Sequence, residues 1–334
     1  MKKYLLPQNG NFYKANMHTH TTISDGSLSP EDTKKLYKTN GYSVVAFTDH
    51  DVFITHPELN DESFLALNGF EAEFTQEDTC PPKGNKMLKT CHICFVARSS
   101  GMETQPCFNP RYAIPGNAPK HVDKVKYDEN VPFFIRSFSP ESINEMTKAA
   151  SDAGFFVTYN HPTWSLENYN DYTKYENLNA MEIYNHECHI LGYDSYVPTI
   201  YDDMLKIGKK IYAVAADDIH GTSVGGFIMI KAEKLEYETI TDALFAGNFY
   251  ASNGPEIFDL YIEDDKIHIT CSDAADISMT TGGRSAKRIS AKKGNKINGA
   301  VFDLDKDTAY FKLSVKDVNG NFADTRAYFI EDLV

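Results

Sequence analysis

The stretch LSPEDTKKLYKTNGYSVVAFTDHD, residues 28–51, spells a helix, a stop and a strand in that order. Ser29 is an N-cap, Pro30 takes the first helical position, where no intrahelical partner for an N–H exists, and Glu31 complements the positive end of the helix dipole. Gly41 falls where a left-handed C-cap belongs. The apolar run SVVAFT then reads as a buried parallel strand, and it ends on Asp49, His50 and Asp51.

The same design recurs twice. FSPESINEMTKAASDAGFFVTYNHP, residues 138–162, repeats it with Ser139, Pro140, Glu141, Gly154, the strand FFVTY and His161. VPTIYDDMLKIGKKIYAVAADDIHG, residues 197–221, repeats it with Pro198, an apolar side of Ile200, Met204 and Ile207, then Gly208, a strand, Asp218 and His220. Further strands are expected in YKANMHTH, FLALNGFEAEF, CHICFVA, NAMEIYN and GGFIMIKAE, so helix and strand alternate as in an α/β fold whose parallel sheet closes as a barrel. Barrel enzymes carry their chemistry at the carboxyl ends of the strands, where these histidines fall.

From Glu256 onward helical periodicity stops, and short alternating runs such as IFDLYIEDDKIHI and AVFDLDKDTAYFKLSV take over. The reading is two domains: an α/β barrel over 1–254 and an all-β sandwich over 255–334, a size near the lower limit of about 50–80 residues for a domain. Residues 78–130, rich in Pro, Gly and Asn, read as an insertion that covers the strand ends.

MHTHTTISDG, residues 17–26, places His18 and His20 one residue apart, so on a strand both rings project from one face. With Asp25, His50, Glu71, His92, His161, Asp218 and His220 they form a set of six imidazoles and three carboxylates. That exceeds what one tetrahedral zinc takes and suits two or three divalent ions of the Zn, Mn or Fe class. Glu73 competes with Glu71, being one strand repeat away. Asp49 and Asp51 are candidates for orienting the imidazoles. His186 in NHECH is a candidate proton donor, and Arg136 is a candidate contact for a phosphate.

Taken in order, MHTHTTISDG, FTDHD, GFEAEF, TCHICF, YNHPTW and ADDIHG resemble the PHP (polymerase and histidinol phosphatase) metal-dependent phosphoesterases over roughly residues 12–254. The resemblance implies a distorted (β/α)7 barrel with up to three metals at the strand ends. On matching positions, His18, His20, Glu71 and Asp218 would hold one metal, Glu71, His92 and His161 a second, and Asp25, His50 and His220 a third, with Glu71 bridging. It is Glu71 rather than Glu73 that matches the family's GxE element, two residues after Gly69. The β-rich tail after FYASNGPEI is similar to that of members with an appended sandwich. The implied activity is hydrolysis of a small phosphomonoester or phosphodiester by a hydroxide bridging metals held by Glu71 and Asp218. Two alternatives stand beside it: hydrolysis of a C–N or C–O bond at the same kind of centre, and a metal-stapled barrel that binds without catalysis.

Composition narrows the field. A net charge of −14 over 334 residues disfavours polymeric nucleic acid as a partner, because phosphate tracking draws on clustered Lys and Arg. The one basic stretch, GRSAKRISAKKGNK, reads as a solvated hairpin. Six cysteines form no disulfide framework, and Cys91 and Cys94 fall on a strand where i and i+3 face opposite ways. No apolar run spans a membrane and the opening MKKYLLPQNGNFYK has no signal-peptide core, so a cytoplasmic protein acting on a small phosphorylated substrate is expected. P-loop and GxGxxG motifs are missing, which argues against nucleotide-fold chemistry.

Overall fold

The computed structural model describes residues 2–76 and 88–333, so Cys80 and residues 78–87 of the expected insertion lie outside the described residues. A short strand β1 (Lys3–Tyr4) precedes β2 (Asn11–Asn16), helix α1 (Pro30–Thr39), β3 (Val44–Phe47), β4 (Leu65–Thr75) and β5 (Thr90–Ala97). Helix α2 (Pro140–Asp152) leads to β6 (Phe155–Tyr159), α3 (Tyr169–Tyr172), β7 (Ala180–Asn185), α4 (His186–Leu191), α5 (Pro198–Lys206), β8 (Tyr212–Ala216), β9 (Phe227–Ala232), α6 (Tyr237–Phe245) and β10 (Phe249–Ser252). The C-terminal part holds β11 (Ile257–Glu263), β12 (Lys266–Ala274), β13 (Asp276–Thr281), β14 (Ala286–Ser290), β15 (Ile297–Asp303), β16 (Tyr310–Lys316), β17 (Phe322–Thr325) and β18 (Tyr328–Phe329).

The repeated modules form as their caps dictate. Ser29 accepts from the Asp32 amide at 3.1 Å and Ser139 from the Ser142 amide at 3.3 Å, each satisfying one orphan donor of its helix. Gly41 and Gly154 then turn the chain at φ 78° and 93°, where a side chain would be strained. In α5 the buried side is Tyr201, Met204 and Leu205; Ile200 is half-buried and Ile207, one residue past the helix, is 41% exposed.

Among the described residues the fold is mixed α/β, built on one sheet of fourteen strands, and it is not the closed cylinder expected from the sequence. Strands β2, β3 and β4 pair in parallel, as do β6, β7 and β8, whereas β4–β5 and β5–β6 are antiparallel. Antiparallel neighbours need no crossover helix, which is why the helix–strand rhythm lapses here. The two ends of the run, β2 and β8, meet through a single bridge, Thr19 to Ile219, and among the described residues no strand ladder closes them. On its other side β2 takes β9 as an antiparallel partner, which continues through β10 into β17 and the C-terminal strands.

A second sheet, β1–β11–β12–β15, faces the far end of the first across a separate apolar core that includes Leu5, Leu6, Tyr250, Ile257 and Phe311. The small sandwich therefore draws chain from both sides of the boundary placed at Gly254. The insertion has a minor core of its own, with Phe108, Ala113, Ala118 and Val125 packed on Val52 just beyond His50. The Asn117 amide donates to the Ser24 carbonyl at 2.7 Å, which fastens the insertion to the loop carrying Asp25. Among the described residues no helix is long and apolar enough to cross a membrane.

Candidate metal centre

Backbone pairing at the strand ends brings the site together. The Asp218 amide donates to the His18 carbonyl at 3.0 Å and the His20 amide to the Ile219 carbonyl at 3.2 Å, so the end of β8 lies along the HxH segment. His50 bridges in parallel to Glu71 on β4, and Glu73 pairs across to His92 on β5. His161 follows β6 at φ 21° and Asp218 follows β8 at φ 54°. Left-handed backbone at non-glycine residues is uncommon and collects at functional sites, and here it falls on two of the converging groups.

Glu71 is the hub. Its carboxylate lies 3.1 Å from His18 Nε2, 3.3 Å from both His50 Nδ1 and His92 Nδ1, 3.4 Å from His20 Nε2 and 3.5 Å from His161 Nε2. Glu73 accepts from the Thr75 hydroxyl and comes near one imidazole of the cluster, His92 at 3.9 Å, and its side chain is 36% exposed. Asp218 Oδ1 lies 3.2 Å from His18 Nε2 and 3.1 Å from His20 Nε2, and those two ring nitrogens are 3.1 Å apart. Asp25, the most exposed of the nine, stands 3.6 Å from His20, 3.8 Å from His50 and 3.6 Å from His220.

Four overlapping groups have donors close enough to share an ion: His18, His20 and Asp218; His18, Glu71 and His161; His50, Glu71 and His92; and His20, Asp25, His50 and His220. All nine residues singled out in the sequence thus meet at one rim. Their partition differs from the one the resemblance implied, since His92 and His161 fall into different groups and His50 faces both Asp25 and Glu71.

Electrostatics favour a cation here. Burial pushes Glu71 and Asp218 toward the neutral form, but the surrounding imidazoles outweigh it and hold both carboxyls well below the usual range. Burial likewise opposes charge on His20, yet hydrogen bonds with Asp218 and Glu71 raise it to about 10; His50, buried and beside His20, drops to about 3. His50 Nδ1, Glu71 Oε2 and both ring nitrogens of His92 are buried without a hydrogen bond. Buried polar atoms nearly always find a partner, so unpaired nitrogens and a carboxylate oxygen on His50, Glu71 and His92, which form one ion-sized group, match what a divalent ion requires.

Residues that the sequence did not single out support this set. Glu182 Oε1 lies 2.7 Å from His18 Nδ1, while Oε2 accepts from the His161 amide and from Asn185 Nδ2, both at 3.0 Å. Asn160 Nδ2 donates to Glu71 Oε1 at 2.6 Å. The signal for Glu182 was available: a lone acid inside the apolar strand AMEIYN is rarely buried unless paired.

Other candidates sit elsewhere. Asp49 accepts from the backbone and hydroxyls of Thr21 and Ser24, shaping the loop between His20 and Asp25 and touching no imidazole. Asp51 pairs with Arg136 at 2.5 Å. Arg136 is buried on the wall of a neighbouring cleft, with Nη1 donating to the Glu73 carbonyl at 3.1 Å. His186 has Nδ1 2.9 Å from the Tyr184 hydroxyl and Nε2 3.0 Å from Ser223 Oγ, and it does not line the cavity over the cluster. Cys91 and Cys94 are buried free thiols on β5.

No family model and no curated protein matches the chain. An amidohydrolase from Chromobacterium violaceum, solved with sulfate and no metal, aligns with 62% of this chain and 87% of its own at 14% identity and a TM-score of 0.34. A candidate metal-dependent phosphoesterase from Bifidobacterium adolescentis aligns with 72% of this chain and 95% of its own at 17% identity and a TM-score of 0.37. Over 98% of both chains, at 12% identity and a TM-score of 0.47, the protein is similar to a two-domain protein from Bacteroides vulgatus described as containing a predicted PHP-like metal-dependent phosphoesterase.

Proposed function

We propose that the chain is a metal-dependent hydrolase of small phosphomonoesters or phosphodiesters, with two to three divalent ions of the Zn, Mn or Fe class held by His18, His20, Asp25, His50, Glu71, His92, His161, Asp218 and His220. The observation that carries this reading is the hub at Glu71, where five imidazole nitrogens lie within 3.5 Å of one buried carboxylate. Such ions, when bound, lower the pKa of water toward about 7 and neutralise charge on phosphoryl oxygens.

The protein's own groups do the rest. Glu182 fixes the ring of His18, and Asn160 fixes the carboxylate of Glu71, so the donors are oriented before substrate arrives. The cavity above them, about 320 Å³, admits a small ester with its phosphoryl end against the rim. Water gives one proton to solvent and its oxygen bonds to phosphorus as the ester P–O bond breaks, and the departing oxygen takes a proton from solvent at the open mouth, so no net proton is gained. His186, engaged at both nitrogens and away from the cavity, drops out as the donor in this proposal.

The test is metal content of protein purified without chelator, together with hydrolysis of p-nitrophenyl phosphate and bis-p-nitrophenyl phosphate in Mn²⁺ or Zn²⁺. Two to three equivalents and turnover that disappears in His18→Ala/His20→Ala are expected. Turnover of amides or lactones with no phosphate release would assign the centre to C–N or C–O bonds. A metal-loaded protein inert toward all of them would be a binding module.

A further inference from the structure

The wall of the cavity speaks to what leaves. Trp164, the single tryptophan of the chain, lines the cavity, 37% exposed, in T-shaped contact with His92 and His161 at centroid distances of 5.2 and 5.1 Å. The turn after β6 sets it there, since the Ser165 amide closes onto the His161 carbonyl at 3.2 Å. Leu191, 58% exposed, and Pro115, carried in by the insertion, line the same cavity. Three apolar surfaces beside a cluster of charged donors have no role in holding ions.

Charge is as selective as shape. No lysine or arginine among the described residues lines the cavity, and the two carboxylates there outside the cluster are Glu73 and Glu187. The nearby buried cation, Arg136, is already paired with Asp51. A second anionic group on the leaving side would meet Glu73 and Glu187 and, among the described residues, no lysine or arginine, and like charges placed together in a partly desolvated space repel strongly.

We infer that the site selects esters whose leaving group is an uncharged, apolar ring, packed against Trp164 between Leu191 and Pro115, and that Glu73 and Glu187 exclude leaving groups bearing a carboxylate or a second phosphate. This names a substrate class within the proposed function and rests on it for the identity of the phosphoryl end. Trp164 is a specificity residue; it touches the leaving group, and the reacting atoms lie beyond it.

Because Trp164 is the sole indole, its emission reads occupancy without turnover. The Zn²⁺-loaded protein is titrated with phenethylphosphonate, propylphosphonate and carboxyethylphosphonate, which keep the phosphoryl end and vary the rest. Phenethylphosphonate is expected to change the emission and to bind at least about tenfold more tightly than propylphosphonate, the scale of one aromatic contact. Carboxyethylphosphonate is expected to bind most weakly. By calorimetry, Trp164→Phe keeps the preference for the ring and Trp164→Ala loses it, while Glu73→Gln/Glu187→Gln narrows the gap to the carboxylate. Equal affinities for the first two ligands, tightest binding of the carboxylate, or no binding at all would overturn the inference. The ranked binding without hydrolysis of any ester would remove the proposed function and leave the pocket's selectivity standing; phosphate release from all three matching esters at equal kcat/KM would do the reverse.

Discussion

His18 Nδ1 lies 2.7 Å from Glu182 Oε1, with both side chains about 1% exposed. A carboxylate only accepts, so Nδ1 donates to Glu182, and Nε2, which faces Glu71 and Asp218, is the nitrogen that would bind an ion held among them. Glu182→Gln is therefore expected to weaken metal binding by about 10–100-fold without abolishing it, the usual scale for a group that orients a ligand. Competition with a chelator of known affinity checks it. An unchanged affinity would mean that the ring is held by packing alone.

Glu71 belongs to two of the ion-sized groups and Asp25 to one. Glu71→Gln should release more than one ion at a time, whereas Asp25→Asn should release a single ion and leave the deeper ones in place. Metal analysis of the two variants after dialysis separates these outcomes. Equal losses would show that the groups do not bind independently.

Glu167 gives a pH dependence apart from the cluster. Burial pushes its carboxyl up to about 8, even though Tyr159 and Tyr175 donate their hydroxyls to it. The folded state then binds more protons than the unfolded one above pH 4.5, so this contribution to stability is fully present below that value and is lost as the pH rises through about 8, falling by about 1.4 kcal/mol per pH unit in between. Thermal unfolding from pH 5.5 to 9 should show a declining Tm in the native chain and a flatter profile in Glu167→Gln; the difference between the two removes the titration of the metal ligands. Parallel profiles would refute it.

Two glycines should fail for different reasons. A Cβ on Gly26 would lie 2.4 Å from the His20 carbonyl, so Gly26→Ala has to displace the backbone of a candidate ligand and costs about 1–3 kcal/mol together with metal affinity. Gly41 has open space around it and φ 78°, so Gly41→Ala costs about 1 kcal/mol through backbone strain and leaves metal binding alone. Denaturant unfolding and metal titration of both variants check the contrast.

A fragment of residues 255–334 is expected not to fold by itself. Leu5 and Leu6 complete its core, β17 pairs with β10 from Tyr250 to Thr325, and Tyr196 bonds Asp324 at 2.7 Å while stacking on Phe322. Poor dispersion in its proton spectrum is the expected result; a well-dispersed spectrum would show that these contacts are dispensable.

What could be read in advance follows from which interactions are local. Ser29, Pro30 and Gly41 act within a few residues of themselves, so the helices and the strands after them were legible, and with them the placing of His50, His161 and His220 at strand ends. The nine groups could be named because the histidines fall near strand ends and the resemblance picked out the rest, Glu71 over Glu73 among them; a strand-face argument does not hold for HxH, since β2 stops at Asn16 and His18 and His20 lie beyond it. Strand direction was not reachable: whether β5 runs parallel to β4 depends on partners chosen by the whole sheet, and an apolar run such as CHICFVA suits either. Asn160 was missed because an orienting residue has no spacing of its own relative to the ligand it holds, whereas Glu182 left a trace as the lone acid of an apolar strand, though nothing local named its partner. The burial of Arg136 was missed for the same reason, since its partner Asp51 lies far away in sequence.

The pairing of β1 with β11, Lys3 against Ile262, also sets an order of events during synthesis. At about 5–20 residues per second, the opening segment waits on the order of ten seconds or more for its partner strand to leave the ribosome. Until then Leu5 and Leu6 remain uncovered apolar residues on a nascent chain whose metal-site strands have already been translated. The strands that cover Leu5 and Leu6 are thus made after those that carry the metal site.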